Sequence, residues 1–278
     1  MSWAVVLGAS TGTGAAVSVA LARRGFDIFG VHRGNHPESS AAVEAAISKA
    51  GRRCHMRVAD AGSFEGALAG AAVVNDLAGT GAIKVFVHSI ACASVARLVT
   101  GDGPKPAHPK QVERTFNTMA HSFLWWTQAL VERELLAPGG QLWALSNPMV
   151  DQVLRGTALV AASKAALASY VKHLAHELGP LGFRVNELKF GAVPTRALLT
   201  TVGGDAAHAI AETAGRAIPA GRLVTVEEVA DFLALLSAPE AAWMNGATVD
   251  FTGGETQALY DHAVHVYSPE SPWPRSKR

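Results

Sequence analysis

The sequence predicts an α/β domain built on a doubly wound parallel sheet. Three observations carry that prediction. Short apolar runs alternate with alanine-rich helical stretches along the whole chain, and the runs have the near-continuous apolar character of strands buried on both faces. The first run ends in a glycine-rich turn, Gly8-Ala9-Ser10-Thr11-Gly12-Thr13-Gly14, that opens a helix. No linker and no internal repeat divides the 278 residues. A single domain is therefore expected over residues 1–267, followed by a proline-rich, basic tail over 268–278.

The elements follow in order. Val5–Leu7 is a first strand, entered almost directly from the N-terminus, and Ala15–Arg24 a helix. Ile28–His32 is a second strand, followed by a helix over Ala41–Ala50. His55–Val58 and a helix over Phe64–Leu77 come next, then a fourth strand, Lys84–His88. Thr100–Pro109, with two glycines and three prolines, is a loop. A long helix is expected over Gln111–Leu136, a fifth strand over Gln141–Leu145 and a helix over Thr157–Leu178. Arg184–Lys189 is a sixth strand, Val226–Leu236 a helix and Thr248–Asp250 a last short strand. This is the order of a Rossmann sheet.

Composition bounds the function. Hydrophobic residues make up 49% of the chain, enough for a large core, and the formal net charge is +1 without a basic stripe. A nucleic-acid partner is not expected. No apolar run has the length of a membrane span, so no membrane partner is expected either. Two cysteines, Cys54 and Cys92, cannot build a disulfide framework and suit a reducing compartment. With no basic segment before an apolar stretch at the N-terminus, a cytoplasmic location is expected.

The glycine turn points to a dinucleotide. Glycines after a strand let the backbone approach a pyrophosphate, and the following helix N-terminus supplies N–H donors and positive potential. Gly8, Ser10, Thr11, Gly12, Thr13 and Gly14 are the candidate diphosphate cradle. An acidic residue after the second strand would bond the adenosine ribose 2′-hydroxyl. The segment here is His32-Arg33-Gly34-Asn35, where Arg33 can pair with a 2′-phosphate. NADPH is therefore the expected cofactor, against the alternative that Arg33 is a solvated surface residue. Asp60, with Ala61 after it, ends the third strand and can accept from the adenine amino group, unless it only caps the following turn.

With these features the chain resembles the short-chain dehydrogenase/reductase superfamily from the glycine turn to Val249-Asp250-Phe251-Thr252-Gly253-Gly254. Within it the chain looks most like the divergent enoyl-acyl carrier protein reductases. His88-Ser89-Ile90-Ala91 resembles that branch's HSIA segment, where most relatives carry Asn-Asn-Ala-Gly. Ala162-Ser163-Lys164-Ala165-Ala166-Leu167 resembles its AKASLEA helix, His176–Asn186 its helix-to-strand junction, and Gly191-Ala192-Val193-Pro194-Thr195 its cofactor-amide loop. The resemblance implies that Ser89, Ile90 and Ala91 line the cofactor, that Val193 meets the carboxamide and that Thr195 touches the diphosphate region.

It also implies a catalytic set. A lysine holds the nicotinamide ribose, a tyrosine donates a proton, and a serine and a helix asparagine stand nearby. Lys164 matches the lysine, Ser146 the serine and Asn117 the asparagine. Ser146 is otherwise a helix cap, and Asn117 otherwise satisfies a kinked helix backbone. The tyrosine is missing: four residues before the lysine stands Val160, seven before stands Thr157, and the branch's second tyrosine corresponds to Asn147. Of the three tyrosines, Tyr170 should point elsewhere, and Tyr260 and Tyr267 lie in the C-terminal segment.

That departure favours one chemistry. A ketone becomes an alkoxide and needs a positioned acid at its oxygen. A conjugated enoyl thioester becomes an enolate, which needs a hydrogen bond at oxygen while water can protonate carbon. Thr157 or Asn147 can donate such a bond. The expected function is NADPH-dependent reduction of an α,β-unsaturated acyl thioester. The rivals are a carbonyl reductase with an unusual donor, a catalytically silent NADPH-binding sensor, and an isomerase or dehydratase.

Trp125 and Trp126 are expected in the core or at a subunit interface rather than in an acyl pocket. His173 and His176 have a metal-ligand spacing but no third ligand nearby, so no metal is expected. Leu198–Ala217 is expected to form a lid poor in basic residues, favouring a small or coenzyme A-linked substrate over a docked carrier protein. Alanines on the Thr157–Leu178 helix permit close helix approach, and the resemblance implies a homodimer or homotetramer built there and on the preceding long helix.

Overall fold

Seven apolar runs become seven parallel strands in a computed structural model that describes residues 2–92, 94–99, 106–153, 156–195, 212 and 215–256. They are β1 (Trp3–Leu7), β2 (Asp27–His32), β3 (Cys54–Val58), β4 (Ile83–His88), β5 (Leu136–Ser146), β6 (Arg184–Phe190) and β7 (Thr248–Phe251). The sheet order is β3-β2-β1-β4-β5-β6-β7. The chain winds outward from β1 to β3, returns to the centre at β4 and winds out the other way to β7. At the reversal, between β1 and β4, the connections leave the strands' C-terminal ends in opposite directions. That divergence opens a crevice, the usual ligand site of such sheets.

Helices cover both faces. On one lie α1 (Gly12–Arg23), α2 (Pro37–Lys49) and a late helix over Val226–Leu236. Alternate β1 residues Ala4 and Val6 pack there with Val17, Leu21, Val43, Ile47, Val229 and Leu233. On the other lie α3 (Phe64–Ala78), α4 (Pro109–Phe116), α5 (Ser122–Glu132) and α6 (Ala158–Leu178). Val5 and Leu7 point that way, into a core with Phe86, Phe123, Trp126, Ala144, Leu167 and Val185. The period of two along each strand thus decides which side chains meet which helix layer. It puts His88, Ser146, Glu187 and Lys189 on the α5–α6 face, because they continue the Phe86, Ala144 and Val185 series.

The expected single helix over Gln111–Leu136 is corrected in two ways. A π-helical turn, Asn117–His121, separates α4 from α5. The helix then stops at Glu132, and Leu136 already belongs to β5, paired with Ile83. Leu135 and Leu136 extend the helical apolar pattern in the sequence, but both are buried outside the helix, Leu136 as the first residue of β5 against β4. The Pro138-Gly139 pair, which suggests a turn, lies within β5 where the β4–β5 register shifts. Trp126 is a core residue: it is fully buried, stacks on Phe86 and donates from Nε1 to the Ala61 carbonyl at 3.1 Å. Trp125 is half-buried beside Phe64 and His121. Among the described residues no helix is long and apolar enough to cross a membrane.

Candidate active site

The glycine turn leaves β1 at the switch point, beside the end of β4. Gly8 has φ +82°, and a Cβ there would overlap the Ser89 carbonyl oxygen at the end of β4. A Cβ on Gly14 would overlap the Gly8 carbonyl and stand 3.1 Å from Ser89 Oγ. Gly8 N–H donates to Val31 O at 2.8 Å and Ser89 N–H to Leu7 O at 3.1 Å, so the turn is tied to both β2 and β4. Gly12 has φ +56°, and a Cβ there would meet Thr195 Cγ2 at 3.5 Å. The loop after β6 therefore reaches the glycine turn. Thr11, which precedes α1, caps nothing with its side chain, and no acidic residue stands in the first helical turn. Such an end offers N–H donors and positive potential to an anion.

Around this turn stand the other candidate cofactor residues. Ser10 is buried, Thr13 half-buried and Thr11 exposed. Arg33 is exposed, and its Nη1 donates to Cys92 Sγ at 3.3 Å, so its guanidinium reaches past β1 toward the segment after β4. Asp60 Oδ1 accepts from Gly62 N–H at 3.0 Å, the turn-capping alternative, which shapes the loop before α3. Ala61 is buried beneath Trp126. Ile90 is half-buried and Ala91 exposed as β4 leaves the sheet. Val193 is buried in the α1-side core, and the neighbouring Ala192 N–H donates to Glu255 Oε2 at 3.0 Å.

The catalytic candidates gather one strand further along. Lys164 is buried on α6, and its Nζ donates to the Leu145 carbonyl at 2.6 Å. Burial brings its pKa down to about 8, partly opposed by the Glu187 carboxylate. Ser146 ends β5, buried, and its Oγ has no partner among the described residues. Asn147 is half-buried; its Oδ1 accepts from Met149 N–H at 3.1 Å, which leaves its amide N–H groups to donate elsewhere. Thr157 is buried at the N-terminus of α6. Over it folds the segment after β4: Ala96 N–H donates to the Gly156 carbonyl at 3.0 Å. Asn117 is half-buried and begins the π turn, where its carbonyl accepts from Ser122 N–H, so the helix backbone is irregular at this residue.

Two residues to which the sequence assigns no role belong to this cluster. His88 is fully buried, and its Nε2 lies 2.8 Å from Ser122 Oγ. Ser122 donates that hydroxyl to Thr118 O, so His88 must donate from Nε2 and keep a bare lone pair on Nδ1. Nδ1 is a second buried atom with no partner among the described residues. Burial, and then the charge of Lys164, push the His88 pKa down to about 3, so the ring is neutral. Glu187 is the other: a carboxylate in the middle of a buried strand, with Thr248 Oγ1 donating to its Oε2 at 2.7 Å. For His88 the signal is an ionisable residue closing an apolar run, Val85-Phe86-Val87-His88, whereas Glu187 stands among the polar residues Asn186 and Lys189 and carries none.

Tyr170 stands elsewhere, with its Oη 2.9 Å from His121 Nδ1 on the π turn. His173 and His176 are exposed on α6. Tyr260, Tyr267, the tail and most of the expected lid over 198–217 lie outside the described residues.

A glycine cradle at the switch point of a parallel sheet, with a buried lysine one strand away, defines a dinucleotide-dependent oxidoreductase. The family model described as Enoyl-(Acyl carrier protein) reductase matches residues 8–256. The chain belongs to that family, within the short-chain dehydrogenase/reductase superfamily. It is 27% identical to a 1-cyclohexenylcarbonyl-CoA reductase of Streptomyces collinus, over 90% of this chain and 85% of the relative. It is 32% identical to a D-threitol dehydrogenase of Mycolicibacterium smegmatis, over 91% and 92% of the two chains. A short-chain dehydrogenase from Burkholderia cenocepacia, solved in complex with NADP, superposes with a TM-score of 0.79 at 26% identity, covering 91% of this chain and 97% of that one.

Proposed function

We propose that the protein is an NADPH-dependent reductase of α,β-unsaturated acyl thioesters with an altered proton-donor position. The observation that carries the proposal is the composition of the catalytic cluster. Lys164, Ser146, Thr157 and Asn147 stand there, and Val160 and Thr157 occupy the two positions where relatives place a tyrosine. Such a cluster can hydrogen-bond an oxyanion but holds no phenol to protonate an alkoxide. Similarity to the cyclohexenylcarbonyl-CoA reductase, whose named substrate is a conjugated thioester, supports the same reading.

The described residues fit the cofactor. Gly8, Ser10, Thr11, Gly12, Thr13, Gly14 and Thr195 would hold the diphosphate, Arg33 the 2′-phosphate, Asp60 and Ala61 the adenine. Ser89, Ile90, Ala91, Val193 and Lys164 would hold the nicotinamide half. Held there, NADPH would supply a hydride for the β-carbon of the substrate. The electron pair of the double bond moves onto the thioester oxygen as an enolate. Thr157, or the Asn147 amide, donates a hydrogen bond to that oxygen, and the Lys164 ammonium lowers the energy of the developing negative charge. A water beside Lys164 delivers the proton to the α-carbon.

The acyl group enters over an apolar rim. Val95, Leu98 and Val99 after β4 and Val153 after β5 are all exposed at this end of the sheet. The exposed Ala162 and Ala165 on α6 support a homodimer or homotetramer through helix contact. The match to a D-threitol dehydrogenase supports a second reading, in which a carbonyl is reduced with an unusual donor.

A panel of enoyl and β-ketoacyl thioesters, followed by NADPH absorbance, separates the two. Faster turnover of the enoyl series is expected. Ketone reduction without enoyl activity would establish the second reading. Tight NADPH binding with neither activity would indicate a sensor. Arg33→Ala tests cofactor choice by titration calorimetry. NADPH affinity should fall about tenfold or more, the worth of one charge-assisted contact, with NADH affinity nearly unchanged. Equal loss for both cofactors would refute the role of Arg33.

A further inference from the structure

Lys164 is an ammonium taken out of water, and its hydrogen bond to Leu145 O goes to a neutral carbonyl. An ion in such a place needs a counter-charge. Among the groups around it, Leu145 O and Ser146 come from β5, and His88, neutral, from β4. Ser122 of α5 is occupied by His88, and His121 of the π turn by Tyr170. Lys189 on β6 is a second cation on the same sheet face, but Asp151 and Asp250 hold it at 2.7 and 3.2 Å.

Glu187 remains. Its strand pairs with β5 so that Glu187 stands opposite Ala144, beside the carbonyl that Lys164 engages. Its side chain lies under α6 and is 2% exposed. With Ala165 and Ala168, the α6 residues one and four positions after Lys164, it borders a hollow of about 450 Å³ that the exposed Lys172 of α6, Lys189 and Asp151 also line. Thr248 holds one carboxylate oxygen at 2.7 Å, while Oε1 is buried with no partner among the described residues. Ser146 Oγ and His88 Nδ1 share that condition. Unpartnered buried polar atoms on the same sheet face as the ammonium are groups that a bridging water can satisfy.

We propose that Glu187 is the buried counter-charge of Lys164, a positioning residue that acts through intervening water to keep the lysine protonated where relatives have a tyrosine beside it. The proposal rests on the reading that Lys164 is the cation of the catalytic site. A protonated Lys164 can orient the proton-delivering water and hold the enolate. A neutral amine can do neither at comparable strength. The direction of the electrostatic influence of Glu187 on Lys164 agrees with this.

The test is an NMR titration of the full chain labelled with ¹³Cε-lysine, the Lys164 signal being the one lost in Lys164→Met. It should titrate near pH 8 in the unmodified protein. In Glu187→Gln the midpoint should fall by about one pH unit or more, and Glu187→Asp should recover most of the difference. A merely structural glutamate would leave the midpoint unmoved. An unchanged midpoint in a folded Glu187→Gln protein overturns the proposal. If Glu187→Gln folds poorly, the Lys164→Met/Glu187→Gln double variant decides, because removing both charges together should restore part of the lost thermal stability. Strictly additive losses would overturn the proposal. NADPH affinity measured on the same samples keeps the two readings apart: failure to bind cofactor counts against the proposed function, whereas the lysine midpoint reports on the counter-charge alone.

Discussion

Lys164→Met should lower enoyl reduction about a thousand-fold, the scale expected when a preorganised charge or donor is removed from a developing oxyanion. The same substitution should weaken NADPH binding, since Lys164 is proposed to hold the nicotinamide ribose. A pH profile gives an independent check. The Lys164 pKa is brought down to about 8, so the ammonium is lost as pH rises through that value, and kcat/KM should fall about tenfold per unit beyond it. In Lys164→Met the residual rate should lose that alkaline limb.

The sign for stability is opposite. The folded-state pKa lies below the ordinary lysine value of 10.5, so carrying the charge costs the folded state at neutral pH. That cost fades as pH rises from about 8 toward 10.5. Alkaline inactivation through this group should therefore occur in a folded protein, with circular dichroism unchanged. A limb that coincides with unfolding, or survives in Lys164→Met, would place the titrating group elsewhere.

The fold was legible because parallel strands buried on both faces leave a strong trace. Val5–Leu7 and Val226–Leu236 were read from apolar character and periodicity, and the structure contains both. What misled was local. Leu135 and Leu136 continue a helical pattern, and the strand state of Leu136 depends on pairing with Ile83, a partner some fifty residues away. The π turn at Asn117–His121 has no sequence signature beyond an asparagine and a histidine.

The site divides in the same way. The glycine turn announces itself, since its residues are needed for backbone reasons that chain order reveals. Lys164 and Ser146 were located through family resemblance. His88 is legible only as part of the HSIA-like segment and Glu187 not at all, because an ionisable residue within a strand acquires meaning only from what faces it. The Ser122 hydroxyl and the Lys164 ammonium come from other elements, and period two alone does not bring them together.

Gly8→Ala should abolish tight cofactor binding and destabilise the fold, and Gly25→Ala is the control that separates the causes. Both glycines have positive φ, +82° and +95°, so alanine is strained at each by about 1 kcal/mol. At Gly25 nothing lies within 4 Å of the added carbon, and the strain is the whole effect. At Gly8 the same carbon would overlap the Ser89 carbonyl oxygen. Ser89 cannot simply withdraw, because its N–H is bonded to Leu7 O at 3.1 Å and Gly8 is itself bonded to Val31.

Relief must come from opening the seam between β1 and β4, where the diphosphate is proposed to sit. Overpacking of this kind adds about 1–3 kcal/mol to the strain. About 3 kcal/mol of lost cradle geometry corresponds to a fall in NADPH affinity of over a hundred-fold. Gly14→Ala isolates the contact from the dihedral: Gly14 is helical, and its added carbon would overlap the Gly8 carbonyl. Thermal unfolding and nicotinamide fluorescence titration on the three variants give the comparison. Gly8→Ala and Gly14→Ala should lose binding together while Gly25→Ala keeps it. If Gly8→Ala bound NADPH as tightly as Gly25→Ala, the diphosphate would have to lie away from this turn.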